Sequence, residues 1–138
     1  IEVCVLKPTY PQGGEKQLID SVLDREIPAG KLPLDAGVVV MNVGTAAALA
    51  RAVLHGRPLT HRIVTVSGGG IRRPSNLLVP IGASYRQLVE HCGGLRDNAV
   101  RIVAGGPMMG FTLGTLDTPV TKGTSGITVL SEWEVRRA

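Results

Sequence analysis

Tyr10-Pro11-Gln12-Gly13-Gly14-Glu15-Lys16 is the stretch on which the reading of the first half turns. It follows an apolar run, Ile1 to Leu6, and precedes Leu18, Ile19, Val22 and Leu23, which fall at helical spacing. Small residues where a strand turns into a helix bring backbone N–H groups into the open. At the positive end of the helix dipole those unpaired groups can hold an anion. A second junction of the same kind, Met41-Asn42-Val43-Gly44-Thr45, follows about thirty residues later. Two such turns in one short α/β unit point to a nucleotide or flavin site.

Working outward, Ile1 to Leu6 is apolar on both faces, the pattern of a strand inside a parallel sheet. A helix is predicted from Glu15 to Arg25, ending near Asp24-Arg25 ahead of Pro28-Ala29-Gly30. Gly37 to Met41 reads as a second buried strand, and alanine-rich Thr45 to His55 as a helix that Gly56 stops. The first half is therefore read as β-α-β-α. In the second half, Arg62 to Val66 and Leu77 to Ile81 are β-rich runs joined through Gly68-Gly69-Gly70. Ser84 and Gln87 form a capping-box pattern, Leu88 and Cys92 an apolar stripe, and Gly93-Gly94 a stop. Val100 to Ala104 is a third strand. Two strands joined so briefly must pair as a hairpin, so β-β-α-β here predicts a small ubiquitin-like β-grasp. Its expected core is Ile63, Val66, Leu77, Val79, Leu88 and Ile102. The long Gly/Thr/Pro-rich segment from Gly105 to Gly126 is a loop of the length that usually has a function or joins domains. Gly126 to Leu130 is predicted to be a strand pairing with the first half.

Composition sets outer limits. The chain has 138 residues, enough for one domain or two very small ones, with 43% hydrophobic and 19% charged residues. Aromatics make up only 3%, so the core is aliphatic and no aromatic series exists to stack nucleic-acid bases. The net charge of +4 is scattered, and the doublets Arg72-Arg73 and Arg136-Arg137 read as solvated charge. Cys4 and Cys92 are too few for a disulfide framework or a four-cysteine metal site and fit a reducing cytoplasm. No apolar run reaches the roughly 18 residues that span a bilayer. Ile1-Glu2-Val3 lacks the Met and basic region of a signal peptide, and an opening in mid-strand predicts a piece of something longer.

Four ordered motifs carry a resemblance across essentially the whole chain. They are Tyr10 to Leu18, Gly37 to Thr45, Gly105-Gly106-Pro107-Met108-Met109-Gly110, and Lys122-Gly123-Thr124-Ser125-Gly126. Together they resemble the C subunit of the bacterial Rnf electron-transport complex, which is similar to the flavin-carrying NADH-binding subunit of respiratory complex I. The resemblance implies that residues 1–58 are the later part of an FMN/NADH-binding Rossmann-like α/β domain. It implies a soluble-ligand-binding β-grasp domain at 59–110, and a return segment and tail at 111–138 leading toward an iron-sulfur domain. In that family a nicotinamide hydride passes to FMN, which releases electrons singly to iron-sulfur clusters. By position, Tyr10, Gly13, Gly14 and Glu15 match the turn against the flavin and nicotinamide, and Asn42 and Thr45 match the turn on the ribityl-phosphate side. Gly14 stands where complex I has the first residue of an acidic pair; Glu15 keeps the second.

The resemblance further implies a subunit that oxidises NADH in a complex coupled to ion translocation. It would be peripheral on the cytoplasmic face of the bacterial inner membrane and held by the other subunits of the complex. The family's Gly-rich phosphate loop and its cysteine-rich cluster motifs lie outside these residues, so the chain is expected to hold no cluster, to retain no stoichiometric FMN and to be inactive alone. Two other readings stand beside this one: a non-catalytic binding or assembly β-grasp module, and a relative of the scaffold or quinone subunit of sodium-translocating NADH:quinone reductase. The plain readings are a tight turn for Gly13-Gly14, helix caps for Asn42 and Thr45, a first-turn carboxylate for Glu15, structural roles for His91 and Cys92, and gap-filling for Met108-Met109.

Overall fold

The computed structural model describes residues 1–136 and divides into two units, Ile1–Gly56 and Arg57–Ala138. In the first unit, helix α1 (Glu15–Leu23) starts after Gly14, which is extended at φ −66°, ψ 141°. It stops where Asp24 enters the left-handed region at φ 50° and its N–H bonds the Asp20 carbonyl. A short 3₁₀ turn (Pro33–Ala36) is closed by the Asp35 carboxylate accepting from the Leu32 N–H at 2.8 Å. Helix α2 (Val43–His55) is built on an alanine-rich sequence that loses little side-chain entropy on folding. Asn42 caps its start, its Oδ1 accepting from the Gly44 N–H at 2.8 Å, and Gly56 ends it at φ 61°.

Neither expected strand of this unit forms. Ile1 to Leu6 and Gly37 to Met41 make no ladder, and Val3 and Val5 are largely exposed. A strand exists only through the backbone bonds of a neighbour, and neither run is paired among the described residues. The β-α-β-α expectation is thus met by its two helices alone. Ile19 and Ile27 are the buried side chains of this unit among the described residues.

The second unit carries the α/β class. Strands β1 (His61–Ser67) and β2 (Ser75–Pro80) pair antiparallel, from His61 opposite Pro80 to Val66 opposite Ser75. Helix α3 (Tyr85–His91) follows, its capping box closed by Gln87 N–H to Ser84 Oγ at 3.4 Å and Ser84 N–H to Gln87 Oε1 at 3.0 Å. Then come β3 (Ala99–Ala104), a short β4 (Phe111–Thr112) and β5 (Gly126–Ser131). The sheet order is β2-β1-β5-β3-β4, with β5 parallel to β1 and antiparallel to β3. A hairpin clasping one helix, with its last strand returning parallel to the first, is the β-grasp arrangement. Val64, Val66, Val79, Leu88, Val89, Ile127 and Val129 form its dry interior.

Two expectations are corrected here. The tail strand pairs within the second unit, because β1 and β3 each present a free edge and one strand between them satisfies both. Ile63 is not core: at 67% exposure it faces out, since side chains alternate and Val64 and Val66 already face in. Leu77 and Ile102 pack partly buried against the interior, as Val66, Val79 and Leu88 do fully.

The segment between β3 and β5 is tied to the start of α3. The N–H groups of Tyr85 and Arg86 donate to the carbonyls of Thr118 and Leu116, and Gly82 and Val120 are joined the same way. Arg86 grips Asp117 with two nitrogens at 2.9 and 3.2 Å and, with Thr115, holds that carboxyl below its usual range. The chain then closes on helix α4 (Glu132–Arg136). The Glu134 carboxylate accepts from the Ser131 N–H at 2.7 Å, the Ser131 hydroxyl at 2.8 Å and the Gly69 N–H at 3.0 Å. Of the doublet Arg136-Arg137, the second residue lies outside the described residues.

Candidate functional site

Tyr10, Gly13, Gly14 and Glu15 occupy the turn into α1, and Asn42 and Thr45 the start of α2, all within the first unit. Tyr10 and Gly13 line one open pocket of about 510 Å³ with Leu6, Thr9, Gln12 and Leu18. Gly14, Glu15, Asn42 and Thr45 do not line it. The six residues therefore form two neighbourhoods at two helix starts rather than one enclosed cavity. Tyr10 is 70% exposed, so its ring offers an open face.

The two helix starts differ chemically. No side chain caps α1, which leaves its first N–H groups to an external acceptor. At α2 the Asn42 carbonyl oxygen already serves Gly44, leaving the carboxamide nitrogen as the donor. Thr45 lies inside the first turn of α2. Gly13 has no atom within 4 Å of where a Cβ would stand and does not adopt the positive φ that favours glycine, so nothing within the chain requires a glycine there. A Cβ at Gly14 would meet only the flexible end of Gln17 and, at 3.4 Å, the Pro11 carbonyl.

The other singled-out residues resolve into structural parts. Cys92 is buried in the β-grasp interior, where burial pushes its thiol up, while Cys4 is exposed. Adjacent His91 lines an outer groove, so the two face different ways. Arg72 and Arg73 are more than solvated charge: the Arg72 Nε–H donates to the Leu95 carbonyl at 3.0 Å and the Arg73 guanidinium to that of His91 at 3.4 Å. Met108 and Met109 do not fill gaps; at 70% and 85% exposure they stand at the tip of a turn whose packing is done by Gly110 against Ala104 and Val103. In Lys122 to Gly126 the anchor is Thr124, whose Oγ1 accepts from the Thr121 N–H at 3.0 Å and lies 3.2 Å from the Tyr85 hydroxyl. No spacing in the sequence signals that contact, because it joins residues brought together only by the fold.

Comparison with known proteins supplies what geometry does not. The family model described as the Nuo51 FMN-binding domain matches residues 1–51, and that of the SLBB domain matches residues 63–112. The C subunit of the proton-translocating ferredoxin:NAD(+) oxidoreductase complex of Clostridium ljungdahlii is 47% identical over 135 residues. The chain is a homologue of such C subunits. That alignment takes in 98% of this chain and 30% of the relative. The C subunit of the Na(+)-translocating ferredoxin:NAD(+) oxidoreductase complex of Acetobacterium woodii is 47% identical over 132 residues, 96% of this chain and 30% of its own length. The C subunit of the ion-translocating oxidoreductase complex of Rhodobacter capsulatus is 45% identical over 137 residues, 99% of this chain and 26% of its own length. The chain thus spans less than a third of the C subunits it matches. No helix among the described residues is long and apolar enough to cross a membrane.

Proposed function

We propose that this chain is the flavin-side and β-grasp portion of a C subunit that oxidises NADH through FMN within an ion-translocating membrane complex. The turn at Tyr10, Gly13, Gly14 and Glu15 and the turn at Asn42 and Thr45 form one wall of the FMN/NADH pocket. The observation that carries the reading is the start of α1. It combines uncapped N–H donors with a glycine, Gly13, that the chain's own packing does not require. That pairing is what a site needs if a flat or phosphorylated ligand is to approach the backbone closely.

The residues present fit FMN in chemical type. The α1 N–H groups and the Asn42 carboxamide nitrogen donate to ribityl or phosphate oxygens, and the Tyr10 ring gives a flat apolar face. When bound, FMN supplies the exchange between two-electron hydride chemistry and single-electron transfer. The chain's own part is to orient: Glu15, the first residue of α1, places a carboxylate beside the ligand-facing turn. Iron-sulfur clusters belong to other parts of the full-length protein, and the other subunits of the complex and the cytoplasmic face of the membrane are its setting.

The test uses the full-length protein. Asn42→Ala should lower retained FMN about tenfold, the loss of one charge-assisted donor. Glu15→Ala should retain FMN and slow its reduction by NADH. If both variants keep full flavin and full reduction rate, the wall has been assigned to the wrong residues.

A further inference from the structure

One end of the β-grasp is built from two short segments, each carrying an arginine, that backbone bonds hold against each other. Ile71 and Leu95 form an antiparallel bridge, the Arg72 N–H donates to the Gly94 carbonyl at 3.2 Å, and the Arg96 N–H donates to the Gly70 carbonyl at 2.8 Å. The two arginine side chains then anchor across the pair. The Arg72 Nε–H donates to the Leu95 carbonyl at 3.0 Å and the Arg96 Nε–H to the Ile71 carbonyl at 3.0 Å, with the Arg96 Nη2 at 3.5 Å from the Arg72 carbonyl. A guanidinium tied to the backbone through Nε is held in one orientation, so part of the ordering that an anion requires is already done.

This anchoring spends the inner nitrogen of each fork and leaves the outer ones. Both terminal nitrogens of Arg72 and Nη1 of Arg96 have no acceptor among the described residues, and neither arginine is ion-paired there. The two side chains line one open cavity of about 520 Å³ together with Asp97 and Asn98. Asp97 and Asn98 are the central residues of a turn that the Ala99 N–H closes on the Arg96 carbonyl at 3.0 Å. The Asn98 carbonyl accepts from the Glu132 N–H at 3.0 Å, which fixes the turn to the start of α4. The cavity wall thus carries two oriented cations against one carboxylate, that of Asp97.

We infer that this cavity is a binding site for a phosphate group. One guanidinium fork satisfies a planar carboxylate, whereas a tetrahedral phosphate has oxygens enough to accept from two guanidiniums at once. With a single positive charge in excess, the wall suits one phosphate ester better than a polyanion. Its four residues all belong to the second unit, and none is part of the flavin-side wall at the two helix starts.

The probe is inorganic phosphate, titrated at constant ionic strength into the isotopically labelled chain. The side-chain Nε resonances of Arg72 and Arg96 and the amides of Asp97 and Asn98 should shift and saturate, while those of exposed Arg101 stay in place. Succinate, a dianion of two carboxylates, should bind at least about tenfold more weakly. Arg72→Lys keeps the charge but loses the fork, and should weaken phosphate binding about tenfold. Asp97→Asn removes a negative charge without touching an anchoring bond, and should tighten binding about threefold at unchanged melting temperature. Damage to the fold cannot produce a change in that direction, so this variant decides the matter even if Arg72→Lys unfolds. Equal shifts at Arg101, equal binding of succinate, or tightening absent in Asp97→Asn would overturn the proposal. Glycerol phosphate and vesicles of equal parts phosphatidylcholine and phosphatidic acid separate the two sources of the group. Shifts with glycerol phosphate, and no sedimentation on the vesicles, place the phosphate on a soluble ester; sedimentation that Arg72→Lys abolishes places it on a lipid headgroup. Binding of inorganic phosphate with neither would mean an adventitious ion only and would also overturn the proposal.

Discussion

At the scale of single residues, the glycines separate into those the fold needs and those it does not. Gly68 sits at φ +104°, and a Cβ there would stand 2.1 Å from the Val129 carbonyl oxygen, a backbone atom of the central strand that cannot give way. Gly68→Ala should therefore cost about 2 to 4 kcal/mol in denaturant unfolding. Gly13→Ala should leave the same transition unmoved and instead lower FMN retention by the full-length protein. A stability loss at Gly13 to match that at Gly68 would return Gly13-Gly14 to the status of a plain turn. The cysteines divide in a similar way. Cys4 is exposed and Cys92 is buried with its thiol pushed up by desolvation, so iodoacetamide should label one cysteine in the native chain and two in denaturant. Rapid double labelling without denaturant would show that the β-grasp interior opens readily.

Among elements, the pieces legible in the sequence are those whose signal is local. The capping box of α3 was readable from Ser84 and Gln87, the stop of α2 from Gly56, and the hairpin from two β-rich runs too close to pair otherwise. The partner of β5 was not readable. Its apolar run states only that both faces need cover, whereas its position between β1 and β3 depends on edges that exist once the hairpin has folded. For the candidate site, both helix starts were legible, and the chemical difference between them was not: whether Asn42 spends its oxygen on Gly44 is a matter of rotamer. The clamp of α4 on the glycine turn was equally hidden, since Gly69 and Glu134 lie far apart in sequence. It has a measurable pH signature. Bonds from Ser131 and then Gly69 stabilise the charged Glu134 carboxylate and hold it below the usual range. A depressed folded-state value means that the stabilisation is present above the unfolded carboxylate's ordinary value, about 4.3, and is lost as pH falls through the lower folded one. Glu134→Ala should cost about 1 kcal/mol near neutral pH, modest because the group is exposed, and the difference should vanish in acid. A penalty that persists undiminished at the acid end would locate the effect in packing rather than in charge.

For the whole chain, the contrast between the two units bears on activity. Residues 57–136 close a dry interior in which Val64, Val66, Ile71, Ile127 and Val129 are fully buried. In residues 1–56 only Ile19 and Ile27 are buried, while Val3, Val5, Leu49, Val53 and Leu54 are exposed. Helices of nine and thirteen residues with so little buried surface draw scant support from packing, and isolated helices of that length are marginal in water. Amides of β1 and β5 should therefore exchange orders of magnitude more slowly than those of α1 and α2. A ligand bound at the two helix starts must first hold those starts still, and that ordering lowers its apparent affinity. The 138-residue chain should accordingly purify without stoichiometric FMN and without NADH oxidation, whereas the full-length protein should be yellow. Adding FMN in excess to the chain should slow exchange in α1 and α2 while leaving β1 and β5 unchanged. A chain that emerges from purification with flavin absorbance near one equivalent would show that the two turns suffice as they stand, and that the openness of the first unit does not limit its chemistry.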